Sequence, residues 1–200
     1  MTLKELYYFN GVLDGKDLEF IPRPQMSRVL AQSVKQGLTE QGWLKSATEL
    51  SEKGLRLVRL IQRYKEAPKH ILVDNMVFGV LNNNESIMIL HNPFYEEYTI
   101  QLVKGSDSTR EILKDYTFLQ EAENAAAAEP VMIPKDQFEN TFELNTNNHL
   151  RLQIRHEAGH SSEVYFLSQG ILYRYDYDNQ ILCREDKAET LRGLTARLAF

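Results

Sequence analysis

His70-Ile-Leu-Val, Asn75-Met-Val-Phe-Gly-Val-Leu81, Ser86-Ile-Met-Ile-Leu-His91 and Tyr98-Thr-Ile-Gln-Leu-Val103 decide the fold of this chain. These runs are rich in β-branched and aromatic residues. Asn82-Asn-Asn-Glu85 and Asn92-Pro-Phe-Tyr-Glu-Glu97 punctuate them. Short apolar runs broken by Asn, Pro and acidic clusters are the pattern of an antiparallel meander. Asn82–Asn84 tolerates the left-handed backbone of a tight turn. A helical pattern follows at Ser108–Gln120, with Ile112, Leu113, Tyr116 and Leu119 on one face.

The same order recurs downstream. Leu150–Ile154, Glu163–Leu167, Ile171–Tyr175 and Gln180–Cys183 read as strands, and Ala188–Leu198 reads as a helix. Upstream lie three amphipathic helix candidates, at Leu3–Leu13, at Met26–Gly37, and from Leu50 to Ala67 before Pro68. The expected fold is therefore α+β, with a helical N-terminal part followed by two quasi-repeated antiparallel βββα units. The expected division is 1–68, 69–124, a linker with a short helix at 125–148, and 149–200. Ala125–Ala128 reads as linker or helix extension, and Pro134–Phe142 as a short helix.

A length of 200 residues at 42% hydrophobic content is enough for a sizeable core, and ten Tyr and nine Phe exclude a disordered chain. The lone Cys183 allows no intrachain disulfide. Met1–Leu6 has no signal-peptide character, and no run nears the roughly 20 apolar residues of a bilayer span. The expectation is a cytoplasmic protein without membrane contact. Net charge is +4 over residues 1–70 and −9 over 71–200. An acidic strand-rich part disfavours nucleic acid there, while the front leaves a local site open.

His156-Glu-Ala-Gly-His160 matches the H-E-x-x-H of zinc peptidases, which needs helical backbone to aim both imidazoles at one metal. The residues before it alternate like a strand, with Leu150, Leu152 and Ile154 on one face. Those after it are strand-like too, and Gly159 weakens a helix. A hairpin loop from His156 to Ser162 is expected, so no metal, no cofactor and no catalytic residues are assigned. Cys183 reads as a small buried residue. Tyr173, Tyr175 and Tyr177 read as a core-facing ladder or, alternatively, as an exposed aromatic platform. Asn92-Pro-Phe-Tyr95 is the loop of most interest. Pro93, Phe94 and Tyr95 stand at a turn tip, where aromatics serve as partner anchors or fold back onto the sheet.

Gly42-Trp-Leu44 followed by Leu50-Ser-Glu-Lys-Gly54 and a helix resembles a winged-helix unit. That resemblance implies that Met26–Gly37 enters a DNA groove, with Arg28 and Lys35 as its cations. The plainer alternative is a small helical subdomain. Over most of the chain, the Leu3–Leu13 helix, the Gly42–Leu44 and Leu50–Ala67 segment, and the Lys69–Val73 strand after it resemble the EspG-like accessory proteins of type VII (ESX) secretion, in particular their Gram-positive branch. The resemblance implies a non-enzymatic cytosolic chaperone that binds helical secretion substrates. It places partner contacts at Pro93, Phe94 and Tyr95 and along the C-terminal helix, at Leu191, Leu194 and Leu198. A homodimer stays open.

Overall fold

The computed structural model describes residues 1–82, 84–104, 112–126, 128–142, 144 and 148–198. The chain is mixed α and β, and it divides into two compact units. One holds Met1–His70 and Asn75–Val103, and the other holds Ile71–Asp74 and Lys104–Phe200. This differs from the division expected from sequence, because the helical front and the meander close one core together.

In the first unit, α1 (Leu3–Val12) opens with a reciprocal capping box between Thr2 and Glu5. Ser27 caps α2 (Arg28–Glu40), and Ser51 caps α3 (Glu52–Lys65). Between α2 and α3 lies a small antiparallel pair, β1 (Leu44–Ser46) and β2 (Glu49–Leu50). Strands β4 (Met76–Asn82), β5 (Glu85–Asn92) and β6 (Glu97–Lys104) are neighbours in that order. The turn between β4 and β5 closes with the Asn84 amide donating to Asn82 Oδ1 at 2.9 Å, while Asn83 lies outside the described residues. Helix α3 buries Leu57, Val58, Ile61 and Tyr64. Gly79 on β4 makes room for it, since a Cβ there would stand 2.9 Å from the Tyr64 ring and 3.2 Å from Ala67.

The Gly-Trp-Leu and Ser-Glu-Lys-Gly signals meet at one atom. The Trp43 carbonyl accepts from the Ser51 amide at 3.1 Å and from the Ser51 hydroxyl at 2.9 Å. The same hydroxyl accepts from the Gly54 amide at 3.1 Å, so one serine caps α3 and fastens it to the preceding turn. Gly42 holds the left-handed φ of +73° that starts this turn. A Cβ on Gly54 would lie 2.3 Å from the Trp43 oxygen, so only glycine fits.

In the second unit the strand order is β3 (Lys69–Val73), β8 (His149–His156), β9 (Gly159–Ser168), β10 (Ile171–Asp176), β11 (Ile181–Arg184) and β7 (Val131–Met132). The pairings from β8 to β7 are antiparallel. Asp74 closes β3 in left-handed backbone, at φ +49°. Its carboxylate accepts from the Arg151 amide at 3.0 Å and from the Tyr116 hydroxyl at 2.6 Å. Burial, and then the Asp74 charge, push the Tyr116 phenol up.

Short helices follow the strand alternation. Phe138 of α5 (Lys135–Thr141) is fully buried and stacks on Tyr175 at 3.9 Å, with Phe142, Phe166, Tyr173 and Tyr177 around it. The tyrosine run is thus a core ladder. The alternate residues Glu163, Tyr165 and Arg174 sit one step away in register and face α6 (Lys187–Arg197). Before α6 comes α4 (Phe118–Glu121), whose Phe118 and Leu119 are buried. Of the expected Ser108–Gln120 helix, residues 108–111 lie outside the described residues. Residues 112–114 are helical, and Asp115–Thr117 separate them from α4. The Ala-rich stretch is anchored rather than free. Ala122 and Ala125 are buried, and the Glu123 amide donates to the Gly170 carbonyl at 2.8 Å; Ala127 lies outside the described residues. Of the expected turn at Asn145–Asn148, residues 145–147 also lie outside them.

Two substitutions test this packing. Gly54→Ala is expected to destabilise the first unit by about 1–3 kcal/mol, because the alternative to a clash is to part Ser51 from Trp43. Urea unfolding followed by Trp43 fluorescence checks it. Phe138→Ala is expected to cost the second unit about 3–5 kcal/mol, read by thermal melting and loss of near-ultraviolet dichroism.

Candidate partner-binding surfaces

The turn between β5 and β6 spans residues 93–96 and is held from both sides. Asn92 Oδ1 accepts from the Phe94 amide at 3.1 Å, and Glu96 takes a left-handed φ of +50°. The ring of His91 stacks on Tyr98 at 4.6 Å. The Asn75 side chain donates to the His91 carbonyl at 2.8 Å. On the other flank, Thr2 bridges Glu97, and the Met1 and Tyr98 main chains exchange two hydrogen bonds. A fixed base thus carries a bare tip. Phe94 is 92% exposed and Tyr95 is 75% exposed. Fold-back of Phe94 onto the sheet, which the sequence left open, does not occur.

A hollow of about 500 Å³ lies beneath Tyr95, with Pro93, Thr2, Leu3 and Pro24 in its wall. Pro24 also borders a second hollow of about 400 Å³, which Tyr8, Val12, Met26 and Ala31 line. Val12, Met26 and the 77%-exposed Val29 keep apolar surface in solvent here. Sequence reading identified the turn and missed the hollows, because the extended segment holding Pro24 has no periodic signal. That segment is pinned by the Tyr7 hydroxyl donating to the Ile21 carbonyl at 3.0 Å and by the Tyr64 hydroxyl donating to the Glu19 carbonyl. Burial pushes both phenols up.

The C-terminal helix requires a correction. Leu194 is 1% and Leu198 0% exposed, and Leu191 is half-buried. Leu194 and Leu198 are core residues of the second unit and offer no partner surface. A salt-bridge network clamps the helix. Arg197 bonds Glu163 and donates to the Tyr165 hydroxyl at 2.9 Å, while Arg174 reaches Glu163 at 3.6 Å and Glu185 at 2.7 Å. Glu163 is buried, and two guanidiniums with the Tyr165 hydroxyl replace its lost water. Burial alone would lower the Arg174 guanidinium, but Glu185 and Glu163 outweigh it and hold it above the ordinary arginine range.

The H-E-x-x-H stretch lies on a β-hairpin, as the strand alternation predicts, but the expected loop from His156 to Ser162 shrinks to a turn at Glu157 and Ala158, because Gly159–Ser162 pair with β8. His156 pairs with Gly159, and Arg155 with His160. Directly paired residues share a face, so the two imidazoles point to opposite faces of the ribbon. His160 Nε2 meets Asp178 at 3.1 Å, and His156 Nδ1 accepts from the Ala158 amide at 3.3 Å. Among the described residues, no group of three or more His, Cys, Asp or Glu could hold a metal ion. Nor is any helix there long and apolar enough to cross a membrane.

The geometry defines a mixed α and β protein whose most exposed aromatic surface is a braced turn. The chain belongs to the family described as a domain of unknown function (DUF5081), whose pattern matches residues 1–186. No curated protein matches it.

Asp176 supports the turn from which Asp178 reaches His160. Burial raises its carboxyl, but donors from Asn179 and Asp178 outweigh this and leave it below the ordinary 3.8. A depressed carboxyl stabilises the fold above its ordinary value, and that stability is lost as pH falls from about 4 through the lower folded value. Asp176→Asn is expected to flatten the acid limb of a stability-against-pH curve below about pH 4 and to leave its shape above pH 6 unchanged.

Proposed function

We propose that the protein is a non-enzymatic adaptor or chaperone of a type VII secretion system, which binds a helical secretion substrate through its first unit. The observation that carries this reading is the pair Phe94 and Tyr95, held in solvent on a braced turn beside a hollow of mixed polar and apolar lining. Rigid aromatic anchors next to a pocket are how partner binding concentrates its energy. The hollows offer apolar walls at Pro24, Val12 and Met26, where an amphipathic helix lays its apolar stripe. Burial of that stripe would keep a secreted helical hairpin soluble in the cytosol. Under this reading the strand runs at 70–103 and 150–183 would be the two halves of the quasi-repeat that the EspG-like resemblance implies.

A second reading is a winged-helix DNA-binding regulator. Helix α2 favours it, because it buries only Leu38 and precedes the β1–β2 hairpin. Its expected mark is a DNA affinity that falls steeply with salt.

The test is a tagged capture from the host cytosol at moderate salt with nuclease present, followed by reconstitution of the recovered protein. A stoichiometric helical partner whose affinity falls by about tenfold or more in Phe94→Ala or Tyr95→Ala, with unchanged melting temperature, is the expected result. A partner that binds both variants as it binds the native chain overturns the adaptor surface. DNA recovered without nuclease, and no protein, favours the second reading.

A further inference from the structure

Strand β6 ends the sheet of the first unit, and its outer edge is covered only at its start among the described residues. Tyr98 gives its amide to the Met1 carbonyl at 2.6 Å and its carbonyl to the Met1 amine at 3.1 Å. Both of its polar main-chain groups therefore point outward. In an extended strand this direction repeats every second residue, so Ile100 and Leu102 present an amide and a carbonyl to the same open edge. Met1 and Thr2 already show the edge accepting an extended segment.

Beside that edge lies a cleft of about 670 Å³, bounded by β6, by α3 and by the turn at Gly42 and Trp43. Its floor is apolar, from Leu57, Leu60 and Ile100. Its rim is cationic. The Lys53 ammonium sits 3.6 Å from the centre of the Trp43 ring, and Arg56 and the Met1 amine stand nearby. The one carboxylate in the lining, Glu52, is already paired with Arg56. Without counting the Met1 amine, which is bonded to Tyr98, Lys53 and Arg56 against Glu52 leave the cleft net positive.

We infer that the β6 edge binds an extended, acidic segment of another protein, which adds as a strand along Ile100 and Leu102 and sends alternate side chains into the cleft beside Trp43. Main-chain bonds to the edge supply affinity without sequence demands, and the pocket supplies selectivity. The cleft's charge asks for carboxylates, and its apolar floor asks for aliphatic neighbours to them. This surface is separate from the braced turn and does not depend on its assignment.

The experiment uses the full chain and two labelled short peptides, one alternating valine with glutamate and one alternating valine with lysine, in a polarisation titration. The glutamate peptide is expected to bind about tenfold or more tightly than the lysine peptide. Ile100→Pro deletes an amide that faces outward and leaves the bonds to β5 in place, so it is expected to weaken binding by about tenfold with the melting temperature held. A double Lys53→Glu, Arg56→Glu variant should reverse the preference between the peptides. Phe94→Ala should leave it unchanged. Slowed hydrogen exchange at the Ile100 and Leu102 amides completes the expected set. Equal binding of the two peptides, or full binding by Ile100→Pro, overturns the inference. So does a concentration-dependent dimer that Ile100→Pro abolishes, since the edge then belongs to a second copy.

Discussion

The carbonyl of Trp43 is the constraint on which the first unit turns. It accepts both the amide and the hydroxyl of Ser51, and this fixes the angle at which the chain enters α3. Gly54 must remain without a side chain to let that oxygen in, and Lys53 comes to rest over the indole. Once α3 starts there, its apolar stripe falls on the sheet, and Tyr64 reaches the gap that Gly79 leaves. A single acceptor thus couples a helix cap, a close backbone approach and the wall of the cleft. The bond from the Ser51 hydroxyl is part-buried, so losing it would leave the Trp43 carbonyl less well satisfied.

The second unit is organised by the period of its strands. Along β9 and β10, Val164, Phe166, Tyr173 and Tyr175 meet the aromatic cluster of α5, and the residues between them meet α6. One face is oily and is filled by stacking. The other carries two arginines and two glutamates whose formal charges cancel. Such a network adds little net stability over an apolar equivalent, and it ties α6 to β9 through Arg197 and Glu163. Burial lifts the Tyr165 phenol, and Glu163 adds to that, so the hydroxyl stays a donor to the carboxylate.

Much of this was written plainly in the sequence. The strand runs, the three N-terminal helices, the hairpin at His156 and the turn at Asn92–Tyr95 follow from periodicity and turn chemistry, whereas the exposure of Phe94 does not. What stayed hidden depended on contacts distant in sequence. Leu194 and Leu198 show an amphipathic stripe in either setting, and the stripe does not say whether its own sheet or another protein covers it. Gly42, Trp43, Ser51 and Gly54 were conspicuous, yet their spacing fits a wing and a helix-cap knot equally well. Residues 71–74 pass to the second unit although they continue an apolar run with the first, because Asp74 is bonded to Arg151 and Tyr116 far along the chain.

The two exposed surfaces of the first unit share one strand, and that bears on how each would work. Strand β6 begins at the braced turn, is clasped by Met1 and Thr2 at Glu97 and Tyr98, and continues as an edge that no other strand covers among the described residues. The clasp fixes the strand immediately beside both surfaces. Binding at either then spends little conformational entropy on the protein side, because the backbone that carries the contacts is already ordered. The surfaces also ask for different chemistry. Exposed aromatics beside a hollow with Pro24 and Leu3 in its wall would suit a helix with an apolar stripe, whereas outward amides beside lysine and arginine would suit an extended acidic chain. A partner with both a helical hairpin and an acidic tail would engage them together, and the short strand between them would raise the effective concentration for the second contact once the first had formed.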